Sequence, residues 1–317
     1  MTIFGVIAVL APIFGLIVFG AITAKQNWLG ADATNVLNRF VIRLALPAEL
    51  FKITCDVPLA ELNHVGFAGA FGLGMVLTFG LNWLVCWRRD AGRPHRLSNA
   101  AIEGLSAGYA NTSFIGIPVC LDVFGAQSMA AITISTLLTA CSLFAIAIFM
   151  IEVDERAGGR TGPVMRRVSH ALALNPLIFM PFLGLVVNIA GVSIPSAGTT
   201  FVALLAGAAS PCALLTIGMF LVESRKASTA PLVGTLRLAG MKLLVQPALT
   251  FLLAVTVFSE QPVWSREALV LSALPTGTGP FMLAKLYGRE AGVASQVTLL
   301  TTIASIITLS TILVWVS

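Results

Sequence analysis

Two short stretches hold most of the side chains that could do chemistry in this chain. "NTSFIGIPV" offers Asn111, Thr112, Ser113, Gly116 and Pro118, and "TGTGP" offers Thr276, Gly277, Thr278, Gly279 and Pro280. Hydroxyls alone do not make a catalytic set. His64, His95 and His170 are scattered in or beside loops, with no HExxH, no GxSxG and no paired carboxylates at a workable spacing, so a general base is missing. Small polar residues beside a helix-breaking proline supply something else: free backbone N–H groups at the start of a half-helix, where partial positive charge collects. Pro118 and Pro280 suit the first position of such a half-helix, and Thr112 or Ser113 could cap the first one. Two half-helix N-termini aimed at one cavity make an anion site, with a carboxylate as the expected ligand.

Charges within apolar sequence narrow the chemistry, since each costs about 2.5 to 3.5 kcal/mol at the centre of a membrane helix. The candidates are Arg43, Glu49, Glu103, Arg237 and Lys242. Glu49 follows Pro47 by two residues and has Lys52 one turn away, which suits either a local ion pair or a role in proton coupling. Lys242 lies about ten residues into its run, as a partner for Glu103 or Glu49 or as a fixed countercharge for an anionic substrate. Arg237, nearer the end of that run, reads as a snorkelling residue. Cys55, Cys86, Cys120, Cys141 and Cys212 form no CxxC pair and have no histidine at ligand spacing, so neither metal, cofactor nor disulfide is expected.

The elements that must position these residues are membrane helices. Of 317 residues, 57% are hydrophobic and 10% charged, with mean hydropathy +0.93, against roughly 25% charged in a soluble domain. Ten apolar runs of spanning length recur, at approximately 3 to 24, 35 to 54, 64 to 87, 98 to 124, 127 to 151, 173 to 192, 198 to 222, 232 to 258, 266 to 287 and 293 to 316. The expected fold is therefore an all-α integral membrane protein, with the lipid bilayer as its main partner. The first run has no basic region before it and reads as a retained helix rather than a signal peptide. Arg88, Arg89, Arg93, Arg96, Arg156, Arg160, Arg166, Arg167, Arg225 and Lys226 crowd three connectors that ten spans place on one side. That side is then cytoplasmic and both termini lie outside. The same asymmetry accounts for the net charge of +5 without a nucleic-acid partner.

An internal repeat organises the runs. "LAPIFGL" around Pro12 resembles "LNPLIFM" around Pro176, and "ALPAELFKI" resembles "ASPCALLTI", where Pro47 matches Pro211 at the same offset. Gly116, Phe124 and Gly125 match Gly279, Tyr287 and Gly288 at an offset of 163, one less than the 164 of the proline matches. Five spans per unit, an odd number, require the second copy to be inverted, as in secondary transporters. The expected division is a first five-helix repeat over 1–152, a cytoplasmic connector over 153–172 and a second, inverted repeat over 173–317. Breaks are expected in the second and fourth helices of each unit, at Pro47, at Ser210 and Pro211, and in the two polar stretches. The glycines of "GFAGAFGLG" (Gly66, Gly69, Gly72, Gly74) read as close helix packing.

With "LPAELF", "NTSFIGIPV", "SPCALLTIG" and "ALPTGTGPFMLAKLYG" in place, the whole chain resembles the auxin efflux carrier family, which shares its fold with the bile acid sodium symporters. Its "TGTGP" stands where many relatives carry a different small-polar run. The resemblance implies that spans four and nine are unwound and cross at mid-membrane between a panel and a transport domain, and it brings the malonate and malate permeases of bacteria within reach. The resulting expectation is a carrier in the bacterial inner membrane that moves a small organic anion, malonate or another short dicarboxylate, coupled to protons. A sodium-coupled symporter, an auxin-like monocarboxylate exporter and, further off, an anion channel are the alternatives. A homodimer is open as its assembly.

Overall fold

The computed structural model describes residues 3–57, 63–157, 173–224 and 232–316, with backbone alone for 3–10, 157 and 224. All named elements among these residues are helical. Among the described residues five helices are long and apolar enough to cross a membrane: Val65–Arg89, Ala126–Arg156, Ser196–Glu223, Leu232–Thr256 and Gly292–Val316. Most of the connector expected at 153–172 lies outside the described residues, as do Arg160, Arg166, Arg167, His170, Arg225 and Lys226.

The chain runs through α1 (Ile3–Lys25), α2 (Ala33–Phe40), α3 (Leu46–Asp56), α4 (Val65–Arg89) and α5 (Arg96–Gly108). It continues through α6 (Ile117–Phe124), α7 (Met129–Thr136), α8 (Phe144–Ala157), α9 (Pro176–Ile189), α10 (Ser196–Gly207) and α11 (Ala209–Ser224). The last five are α12 (Leu232–Gly240), α13 (Gln246–Thr256), α14 (Pro262–Ala273), α15 (Gly279–Leu286) and α16 (Gly292–Val316). Wide π turns join several of them: Val41–Ala45 between α2 and α3, Leu137–Leu143 between α7 and α8, and Met241–Val245 between α12 and α13.

The helices pack in two groups. In one, α1 lies on α11 and α3 lies on α9 and α10; in the other, α4, α5, α8 and α12 to α16 pack together. With lipid as apolar as the side chains, backbone proximity rather than water expulsion holds such helices, and small residues set the distance. Gly20 and Gly218 do this reciprocally. A Cβ on Gly20 would stand 2.2 Å from the Leu215 carbonyl oxygen, and one on Gly218 would stand 1.9 Å from that of Ile17. Gly184 of α9 lies equally close to Phe51 and Thr54 of α3, and Asn188 Nδ2 donates to the carbonyls of Thr54 and Val57, the carbonyls at the open end of that helix. Three glycines of "GFAGAFGLG" pack tightly: Gly66 against Glu260, Gly69 against Phe258 and Gly74 against Thr250, whereas Gly72 makes ordinary contact with Leu138.

The breaks expected near Pro47 and Pro211 take different forms. The helix through Pro47 is not interrupted, because the π turn Val41–Ala45 carries it into α3 with Pro47 in the first turn. Near Pro211 the interruption is the single residue Ala208, with Ser210 and Pro211 in the first turn of α11. A wide turn and a one-residue gap both absorb a proline that cannot donate to the ladder.

Candidate functional site

The two polar stretches meet. Helix α5 ends at Gly108 and helix α14 at Ala273, and the extended residues that follow pair with each other as an antiparallel bridge between Ala110 and Thr276. The Asn111 N–H donates to the Pro275 carbonyl at 2.9 Å, and the Gly277 N–H donates to the Tyr109 carbonyl at 3.1 Å. Each break thus satisfies part of the other's backbone, as non-helical chain in an apolar surround requires.

The remaining groups find side chains. Asn111, 7% exposed, caps the turn Thr112–Gly116 by accepting the Phe114 N–H on its Oδ1. This differs from the expected cap at Thr112 or Ser113: Thr112 instead accepts a hydrogen bond from Thr136 across the gap. The second half-helix also starts earlier than Pro118 implies, since the π turn Thr112–Gly116 precedes α6 and places Pro118 where that turn meets it. Pro280 does lie in the first turn of α15. Both half-helices end at glycines with positive φ, Gly125 at 77° and Gly288 at 60°, a backbone region that glycine enters without steric cost.

The carbonyl ends are bound from other helices. Thr276 Oγ1 donates to Ser106 at 2.9 Å, Gln246 Nε2 donates to Gly108 at 3.1 Å, and Lys242 Nζ donates to Ser272 at 2.7 Å. From α16, Thr301 Oγ1 accepts the Thr276 N–H and Thr298 Oγ1 donates to the Gly277 carbonyl. Lys242 therefore pairs with neither expected carboxylate. Glu103 is held instead by Arg89 and Arg237 at the far end of α5, and Lys52 pairs with Asp56 rather than Glu49. In each case the partner is the group whose reach and helix register fit. Arg237 is thus tied to an acid rather than snorkelling freely.

A narrow crevice lies between the two helix groups. Tyr109 to Phe114 and Gly277 to Gly279 form one wall; Glu49, Leu50, Ile53 and Ala213 form the other. Gly116, Pro118 and Pro280 are not on its surface. Glu49 and Ser113 also line a vestibule of about 730 Å³ that contains Lys52 and Thr136. Six residues earlier on the same helix, Arg43 lines a second vestibule of about 700 Å³ with Glu152, Arg156, Asn175 and Tyr287. One helical segment thus borders both vestibules and the crevice.

Five residues carried no signal that sequence reading picked up. The ring of Tyr109 lies against Gly277 and Gly279, so a Cβ on Gly277 would come within 2.8 Å of it. Gln246, Thr298 and Thr301 act across more than twenty residues and carry no local signal beyond being polar in an apolar run. Glu267, 1% exposed with Oε1 unpartnered among the described residues, lies at the edge of the apolar run 266 to 287, where a charge is ordinary. Among the described residues no cluster of metal-ligating side chains forms.

Comparison with known proteins follows the same lines. A protein of Rhizobium meliloti (strain 1021) named "Putative malonate transporter" is 26% identical over 306 residues, covering 95% of this chain and 93% of its own. An "Uncharacterized transporter YfdV" of Escherichia coli (strain K12) is 24% identical over 228 residues, 68% of each chain, and an "Uncharacterized transporter" of Methanothermobacter thermautotrophicus is 24% identical over 239 residues, 73% of this chain and 72% of its own. The model of the family described as membrane transport protein matches residues 5–313. With nearly its whole length matched, the chain belongs to that membrane transport protein family, the auxin efflux carrier family that its break motifs resemble.

Proposed function

We propose that this membrane transport protein is a secondary carrier of a small organic anion, with malonate or a similar short dicarboxylate as the preferred substrate, moved together with protons by alternating access. The observation that carries the reading is the pairing of two helix breaks beside a carboxylate: Asn111, Ser113, Thr278 and Gly279 stand opposite Glu49 across one crevice. First-turn amides and small hydroxyls on one wall suit carboxylate oxygens. An ionised Glu49 on the other wall repels an anion, and a proton on it removes the repulsion. Substrate and proton then travel together.

Alternating access suits the layout. The crevice lies between the two helix groups, so a relative movement of the groups would open and close it, and vestibules border the same helical segment at Glu49 and at Arg43. The ten spans are read as two inverted five-helix repeats, supported by motif matches at offsets of 163 and 164 and by the pairing of the two breaks. The site of action is the bacterial inner membrane, with both termini outside. The malonate assignment leans on the name of the Rhizobium meliloti relative. Binding by purified protein across a panel of mono- and dicarboxylates, at two pH values with and without sodium, tests the proposal. Tighter binding of short dicarboxylates at the lower pH, indifferent to sodium, is expected; sodium-dependent binding, or a preference for aromatic monocarboxylates, overturns it.

A further inference from the structure

Lys242 is a titratable group that the anion site alone does not use. It sits in the π turn Met241–Val245, has no exposed surface, and among the described residues its Nζ has one partner, the Ser272 carbonyl. A buried ammonium brings three donors out of water and is costly unless they are all met. One carbonyl suits a neutral amine better. Five elements pack against this turn or continue it: α4, α5, α14, α16 and the lysine's own helix. Their titratable or charged groups are Cys86, Arg88 and Arg89 on α4, Arg96 and Glu103 on α5, Arg266 and Glu267 on α14 and Arg237 on the lysine's own helix; α16 has none. Glu103 is occupied by Arg89 and Arg237. Glu267 lies five residues before Ser272, toward the start of α14.

What does face Lys242 is the carbonyl end of α14, immediately before the break, while Gln246 one turn further on holds the carbonyl end of α5. Helix C-termini favour a cation. A charge placed there acts on whatever occupies the crevice a turn away. Across about 10 Å at an effective dielectric near 20, an ammonium strengthens binding on the order of tenfold per anionic charge. A vestibule of about 440 Å³ reaches Ser106 and Gly234 from the Arg89 end, and Gly234 precedes Lys242 by about 12 Å of helix.

We propose that Lys242 is a proton-binding residue of the carrier, neutral in the arrangement seen here and protonated when the anion is bound. Together with Glu49 it then takes up two protons for each dicarboxylate dianion. This rests on the anion-carrier reading above. The charges balance: Glu49 passes from carboxylate to carboxylic acid, Lys242 from amine to ammonium, and the two positive charges gained equal the two negative charges bound, so the loaded carrier has the net charge of the unloaded one.

The test is calorimetric titration of purified full-length protein with malonate in buffers of differing ionisation enthalpy, between about pH 7 and 9 where the diacid is fully ionised. It counts protons taken up per anion. About two are expected for the natural protein, about one for Lys242→Met and about one for Glu49→Gln. Gln246→Leu, which removes the neighbouring clamp without removing a titratable group, should weaken binding and keep the count at two. A Lys242→Met protein that binds with the natural count overturns the proposal. So does a natural protein that takes up one proton or none, a result that needs no variant to fold and leaves the carrier reading standing. If neither malonate nor any other carboxylate binds, the carrier reading fails and this inference fails with it.

Discussion

Asn111 commits its side-chain oxygen to the Phe114 amide, and among the described residues its Nδ2 donates to no protein group. Asn111 lines the crevice, so its amide nitrogen is the group left to meet a carboxylate oxygen there. Losing a hydrogen bond to a charged group costs about 1.5 to 3 kcal/mol, roughly ten- to hundred-fold in affinity. Asn111→Ala should therefore bind malonate that much more weakly, while Thr311→Ala, on the exposed side of α16, binds as the natural protein does. Equal affinities would remove Asn111 from the site. Asn111 was legible in sequence because a polar side chain in an apolar run must be satisfied or used. Tyr109 beside it was not, since an aromatic residue in a membrane span is ordinary until its ring is seen against Gly277 and Gly279.

At the scale of elements, prolines, glycines and small polar residues marked where helices stop, and the breaks at Tyr109 to Asn111 and Leu274 to Thr278 fall there. The form of each interruption was less legible. Whether a proline is absorbed by a π turn, as at Pro47, or by a gap, as beside Pro211, depends on what packs against the freed carbonyls. Helix-to-helix distance is also set locally but read only in three dimensions. Gly218 meets backbone of α1, whereas Gly80 has open space where a Cβ would go. A clash with backbone cannot be relieved by a rotamer change. Gly218→Ala should lower the melting temperature of the detergent-solubilised protein and reduce the folded yield, whereas Gly80→Ala should leave both unchanged or raise them by the helix preference of alanine, about 1 kcal/mol. A Gly218→Ala protein as stable as Gly80→Ala would show that α1 and α11 can separate freely.

At the scale of the whole molecule, the charge distribution carries the expected orientation. Arg88, Arg89, Arg93 and Arg96 share one short connector, where Arg89 ties Asp90 and Glu103 together and holds the Asp90 carboxyl below the usual aspartate range. With that connector cytoplasmic, single cysteines placed at positions 91 to 95 in a background without native cysteines should react only with reagent that enters the cell. Labelling from outside intact cells would reverse the orientation. Composition and run length by themselves determined that the chain is helical and membrane-embedded, because only helices and closed barrels satisfy the backbone in lipid and apolar runs of about 20 residues have the length of a spanning helix, about twice that of a barrel strand. The polar, glycine- and proline-bearing stretches marked the two breaks that form, at Tyr109 to Asn111 and Leu274 to Thr278, whereas the helix through Pro47 continues. Only the tertiary structure decided what those breaks do to each other and who holds them: Ala110 against Thr276, Lys242 on Ser272, Gln246 on Gly108, and Glu49 across from Asn111. Those partners lie far apart in sequence, and a single side chain's donor or acceptor count fixes how many bonds it needs but not which distant carbonyl supplies them.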